Sequence, residues 1–351
     1  MEEDVIRLYP GNWLYNAGVI GLLEILDELG ENVESSLKDE GYVDIRIPQN
    51  VNEVFDKWDI LTKVHLEISY KGKDRGTKNF YYVNQTEKSI RERIDRFKFY
   101  QPPNRGKERT CVFCFKKEIV RSKDIKPLTQ AYGNILLGSE RTFSNLYWNN
   151  SAKDYVCSKC QFIIMCHHLA LTKLSDESEI FINAPSFKIM WHLNRYAKEI
   201  YGREKAKATR ELLGMTLIEM ALKLNIQLGK WTMMNIEIVS KSKDKIDFFS
   251  LPYDVVSILS NRNIAALLND IGEISVLDLV LDGNFKDILS LAERIFKIAL
   301  KSKGDRGKQE DEFINNEVKL KRNRSNLTHL SQELFELYAL LEEKTKKGVF
   351  V

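Results

Sequence analysis

The chain has 351 residues, 43% of them apolar and 10% aromatic, which is enough for two domains with proper cores and rules out a disordered protein. It holds no apolar run of about 18 residues to span a membrane, and Met1-Glu2-Glu3-Asp4 is acidic where a secretory leader is basic. The sequence therefore predicts an intracellular, cytoplasmic protein that does not engage a membrane. The formal net charge of +3 hides an asymmetry: residues 1–70 hold five Lys/Arg against fifteen Asp/Glu, a net −10, while residues 71–126 hold seventeen against seven, a net +10. A compact cationic segment set against an acidic one is the footprint of a phosphate-binding surface, and a solvated face is the plain alternative.

Taken in order, Asn12 can cap a helix whose apolar positions Leu14, Ala17, Gly18, Gly21, Leu22, Ile25 and Leu29 follow three-to-four spacing and bury one face, with Gly30 ending it. Gly18 and Gly21 lower helix propensity, so they are read as positions where another backbone comes close. Residues 42–47 alternate as a strand ending at Pro48, and 52–69 are helical. Lys71, Lys73 and Arg75 sit in a glycine-bearing basic loop followed by Asn84 and Gln85, a candidate contact for a nucleic-acid duplex. A helix opening at Thr86 interleaves Arg91 and other cations with Ile90, Ile94 and Phe97, before Arg105 and Lys107 lead to the first cysteines.

Cys111-Val112-Phe113-Cys114 is answered by Cys157-Ser158-Lys159-Cys160. Two C-x2-C knuckles let four thiolates close a tetrahedral shell around one structural Zn2+, without an open coordination position. Two disulfides or four unrelated buried cysteines are the alternatives, and the absence of a secretory context weighs against disulfides. The 115–156 insert between the knuckles is longer than in a compact ribbon and is read as part of a small subdomain over about 105–170. Cys166-His167-His168 follows. No carboxylate partner is legible beside it, so it is read as a buried cysteine and two packing histidines.

Beyond the knuckles, 180–183 reads as a strand, 186–201 and 203–228 as helices, and 231–240 as a strand. From residue 251 only helical spacing remains (255–259, 264–268, 285–300, 327–341), and 301–324 reads as a polar, mobile loop with eight Lys/Arg and five Asp/Glu. The expected fold is α+β. An N-terminal α/β domain over 1–250 embeds the zinc-ribbon subdomain, and a C-terminal α-helical bundle covers 251–351.

The stretch Gly11-Asn12-Trp13-Leu14-Tyr15-Asn16-Ala17-Gly18-Val19-Ile20-Gly21-Leu22-Leu23, the two knuckles and Ile180-Phe181-Ile182-Asn183 together resemble the CXXC-CXXC family of CRISPR-associated proteins, large subunits of type I-B-like Cascade. The resemblance covers about residues 9–185. It implies a surveillance complex in which a guide RNA reads the target strand by pairing. The large subunit sits by the guide's 5′ end among backbone and 5′-end capping subunits, recognises the short protospacer-adjacent duplex of the target double-stranded DNA, promotes unwinding and helps recruit a helicase-nuclease. On this reading Lys71, Lys73, Arg75, Asn84, Gln85, Arg91, Arg105 and Lys107 are the candidate nucleic-acid contacts. The chain is expected not to be an enzyme: neither H-E-x-x-H nor G-x-x-x-x-G-K-[ST] is present. The competing reading is a zinc-ribbon adaptor for RNA or protein that reads no DNA motif.

Overall fold

The computed structural model describes residues 5–46, 48, 50–69, 87–99, 101, 103–121, 155–174, 178–204, 209–223, 233, 235–241, 246–272, 274–314 and 326–348. They form a predominantly helical α+β protein of two compact units, residues 1–194 with 237–248 and residues 195–236 with 249–351. A cut near residue 250 is therefore crossed once, because 195–236 group with the helical unit.

The first unit is built on α1 (Trp13–Glu28). Its start follows from Asn12, whose side-chain oxygen accepts a hydrogen bond from the Tyr15 amide at 3.0 Å, and Gly30, at φ +86°, lies just past its end. The expectation of one buried face is corrected: every residue from 14 to 23 is buried, so the helix is sheltered all round. What shelters it is a 3₁₀ segment, Ile164–Ala170, itself fully buried. A Cβ on Gly18 would stand 2.4 Å from the Ile163 carbonyl oxygen and one on Gly21 1.9 Å from that of Cys166. The two glycines are thus the close-approach positions that the sequence predicts, and they let two backbones cross where any side chain would collide.

Around this crossing lie α2 (Val33–Ser36), α3 (Val51–Ser69) and α4 (Glu87–Phe99), and β1 (Ile6–Leu8) pairs antiparallel with β2 (Val43–Ile45). Trp58 of α3 is fully buried and donates its indole N–H to the Met165 carbonyl at 3.1 Å, tying α3 to the 3₁₀ segment. On α4, Phe97 meets Phe162 edge-on with ring centroids 5.6 Å apart. Two strands, β5 (Thr172–Lys173) and β6 (Glu179–Asn183), join β7 (Glu237–Lys241) and β8 (Ile246–Ser250) in a sheet of order β5-β6-β7-β8. The strand expected over 231–240 is shorter than its alternation suggests, for Met233 is helical and pairing begins at Glu237 opposite Asn183. Asn16 on α1 holds Gly11 by both its amide (2.7 Å) and its carbonyl (3.0 Å), and donates to Asn183 at 2.8 Å. Asn183 in turn donates to Glu237 at 2.9 Å. A part-buried polar chain therefore connects α1 to two sheet strands, each of these amide donors meeting an oxygen.

The second unit contains the end of α6 (Phe187–Glu204), α7 (Thr209–Lys223), α8 (Tyr253–Leu259), α9 (Arg262–Ile271), α10 (Ile274–Leu281), α11 (Phe285–Ala299), α12 (Lys308–Glu312) and α13 (Leu327–Gly348). Arg203 and Glu204 belong to α6, so the helix expected over 203–228 is, among the described residues, Thr209–Lys223. Val256, Leu259, Ile288, Ile295, Leu334, Leu337 and Leu341 form its buried apolar core. The helical character expected after residue 251 holds for all described elements there. The polar loop expected over 301–324 does not hold in its first half. Lys303–Asp305 is a 3₁₀ turn, Glu310 accepts from the Gly307 amide at 2.9 Å and from Lys301 at 2.7 Å, and buried Phe313 lies 3.5 Å beneath the Arg294 guanidinium. Local charge pairing and one buried aromatic order a stretch whose composition alone reads as loop.

Candidate metal centre

The first knuckle sits between β3 (Lys107–Thr110) and β4 (Lys117–Val120), an antiparallel hairpin pairing Lys107 with Val120 and Thr110 with Lys117. Cys111 donates its amide to the Lys116 carbonyl, and the Phe115 amide donates to the Cys111 carbonyl, both at 2.9 Å, which winds the knuckle tightly enough to turn both thiols the same way. Phe115 closes the turn at φ +57°, the left-handed region, which costs a side-chain-bearing residue about 1–2 kcal/mol. The second knuckle opens α5 (Ser158–Ile163), where Cys157 is the cap and its sulfur accepts from the Cys160 amide at 3.4 Å. The knuckles are stitched together by the Val112 amide donating to the Tyr155 carbonyl at 3.0 Å and by the Cys157 amide donating to the Cys111 sulfur at 3.4 Å.

All four sulfurs, those of Cys111, Cys114, Cys157 and Cys160, lie within 4.8 Å of one another. The Cys114 and Cys157 sulfurs are 3.7 Å apart, against the ~3.8 Å edge of a tetrahedron with metal–sulfur bonds of about 2.3 Å. None of the five cysteines is in a disulfide, which sets aside that alternative. The electrostatics fit a dication. Cys111 is held far below the ordinary thiol range by hydrogen bonds from Cys114 and Cys157, whereas Cys157 is pushed up, first by its hydrogen bond to Cys111, and Cys160 is pushed up, first by burial. Four thiolates this close ionise together only around a cation, which inverts the local proton balance. The Tyr15 hydroxyl near the cluster is buried and has no hydrogen-bond partner among the described residues, and it is pushed up first by burial and then by the charges of the four cysteines. Gly11 completes the contact between α1 and the ribbon, since a Cβ there would stand 2.8 Å from the Phe113 carbonyl oxygen. The residues present suit a structural zinc, which would join the hairpin to α5; the closed shell leaves no position for a substrate.

Cys166, His167 and His168 are fully buried, and the packing account suits them: His168 Nε2 is 2.9 Å from Thr62 Oγ1 and His167 Nδ1 is 2.9 Å from the Ile164 carbonyl. The fold nevertheless brings up a carboxylate that the sequence conceals. Glu179 lies 3.1 Å from His65 and 3.4 Å from Lys241, and the His65 and His168 rings are 5.6 Å apart. Burial would raise Glu179, but the His65 hydrogen bond and the Lys241 charge outweigh it and bring its pKa down to about 2. Burial lowers His167 to about 3 and His168 well below the usual imidazole range. Both histidines therefore stabilise the fold in full above about pH 6.5 and lose that contribution as the pH falls, His167 down toward 3, and Glu179 loses its own between about 4.3 and 2. With excess zinc, the urea midpoint is expected to fall steadily from pH 7 to pH 4, and His167→Asn should flatten the fall. An identical slope in both proteins would contradict it.

Of the candidate nucleic-acid contacts, Lys71, Lys73, Arg75, Asn84 and Gln85 lie outside the described residues. Arg91 is occupied: its guanidinium lies 3.8 Å over the Phe55 ring, 2.6 Å from Asn52 and 3.3 Å from Asp56, docking α4 on α3. Arg105 and Lys107 are exposed where the chain enters the hairpin, joined by exposed Arg109, Lys116 and Arg121, which the spacing of the knuckles does not single out. Residues 104–172, which carry the hairpin, both knuckles and the 3₁₀ segment, match the family model described as CRISPR-associated protein (Cas_CXXC_CXXC). The match spans 69 of the 351 residues, the segment that carries the four cysteines. No curated protein and no solved structure matches the chain. Among the described residues no helix is long and apolar enough to cross a membrane.

Proposed function

We propose that the chain is the large subunit of a type I CRISPR surveillance complex, reading the protospacer-adjacent duplex near the 5′ end of a guide RNA, promoting strand separation and helping recruit a helicase-nuclease. The observation that carries this reading is the family match over the metal-bearing segment, which agrees with the opening glycine-rich helix and the Ile180-Phe181-Ile182-Asn183 strand. The physical support is the charge: exposed Arg105, just before the hairpin, and exposed Lys107 and Arg109 on β3 lie near the end of a segment of net +10. Zinc held by Cys111, Cys114, Cys157 and Cys160 would keep the hairpin and α5 as one rigid support, and the cations would align a duplex by its phosphates while base pairing with the guide supplies sequence length. The reading gives no residue a catalytic role.

Replacing Arg105, Lys107 and Arg109 with alanine in the assembled complex should lower the salt slope of duplex binding by roughly 0.9 for each phosphate no longer neutralised. The Lys71, Lys73 and Arg75 triple variant should do the same. Asn84→Ala or Gln85→Ala, if either residue reads a base edge, should cost about 1–3 kcal/mol on the matching motif and little on a mismatched one. A salt slope and motif preference unchanged in every variant would place the duplex elsewhere and favour the zinc-ribbon adaptor.

A further inference from the structure

Phe115 combines two unfavourable features. The residue is 67% exposed, and its backbone holds φ +57°, which glycine adopts without strain. The backbone conformation closes the knuckle turn, where the Phe115 amide reaches the Cys111 carbonyl, but the ring takes no part in it and glycine would close the turn as well. The surroundings are cationic and open. All four residues of β3 are exposed, Lys116 and Lys117 follow Phe115 directly, and residues 103–121 hold six Lys/Arg against Glu108 and the buried Glu118. Glu118 is engaged by the Tyr155 hydroxyl at 2.9 Å, and Lys117 is 3.4 Å from Glu108.

An exposed aromatic face among cations suits one class of ligand, an unpaired nucleotide whose base stacks while its phosphates meet the charge. We propose that Phe115 is a stacking platform for an unpaired base of a single-stranded nucleic acid, with Arg105, Lys107, Arg109 and Lys116 along its backbone. The proposal rests on the nucleic-acid role given above and adds a function for strand rather than duplex. The aromatic face accepts any base, so the contact is tolerant of sequence, as holding a strand during unwinding requires.

The test is binding of a fluorescent single-stranded oligonucleotide and of the target duplex to the assembled complex carrying Phe115→Gly, Phe115→Ala or Phe115→Trp. Phe115→Gly removes the ring and relaxes the turn, so it should keep its zinc and melting temperature while losing about 5- to 150-fold in strand affinity, the range of one stacked base. Phe115→Ala should lose as much, and Phe115→Trp should keep the affinity and show indole fluorescence quenched by the strand. Wild-type strand affinity in both Phe115→Gly and Phe115→Ala would overturn the platform while leaving the cationic surface standing. If those variants instead fail to assemble with the other subunits, Phe115 faces protein and the proposal is also overturned. A wild-type complex that binds neither strand nor duplex would sink the broader reading with it.

Discussion

Gly21→Ala is expected to leave the first unit unfolded. The added methyl would stand 1.9 Å from the Cys166 carbonyl oxygen, and that oxygen belongs to backbone that cannot swing aside as a side-chain tip would. Both partners are fully buried, so separating them opens the core around Val19, Ile20 and Met165. Ordinary overpacking costs about 1–3 kcal/mol, and a clash between two backbones exceeds it, against a total stability of about 5–15 kcal/mol. Gly214→Ala on α7 is the control. There the nearest atoms are Leu281 and Leu277 side-chain methyls at 3.3 and 3.4 Å, and the gain in helix propensity of about 0.5–1 kcal/mol should offset the contact. Soluble yield and thermal melts by circular dichroism distinguish the two. A Gly21→Ala protein melting within a few degrees of wild type would mean that α1 and the 3₁₀ segment do not cross as described.

Removing the metal should have the other large effect. Fresh, unchelated protein should carry about one zinc per chain, and Cys111→Ser, or a strong chelator, should release it and expose segment 104–172 to proteolysis. Metal binding to the assembled thiols is itself folding energy, of order 10–16 kcal/mol in small zinc sites. The same release should follow acidification, because protons compete for thiolates that the metal requires. Zinc-free wild-type protein with the same melting temperature as the loaded form would show that the four sulfurs are merely neighbours.

The knuckles, the cap at Asn12, the close approach at Gly18 and Gly21 and the helical texture after residue 251 are legible because each is a local pattern with a single physical cause. Other features come from chain distances that no local pattern spans. Glu179 is 114 residues from His65, and only the sheet brings that carboxylate to the histidine. The burial of α1 on all sides comes from the 3₁₀ segment, about 140 residues further along the chain, so its sequence suggests an amphipathic stripe. Arg91 reads as a cation on a solvent face, yet Phe55 and Asp56 claim it, because guanidinium planes stack on rings as readily as they meet phosphates. Phe115 has no signal in composition, and only the left-handed turn after the first knuckle makes it conspicuous.

Motif reading by a large subunit is decided by the affinity of the chain, purified with its neighbouring subunits and their RNA, for target duplexes with and without the adjacent motif. A guide RNA should be recovered, the motif should raise affinity, and alanine at Arg105, Lys107 and Arg109 should weaken binding of both duplexes while flattening their salt dependence. Recovery of no guide RNA, or equal binding of both duplexes at every salt concentration, would contradict that role.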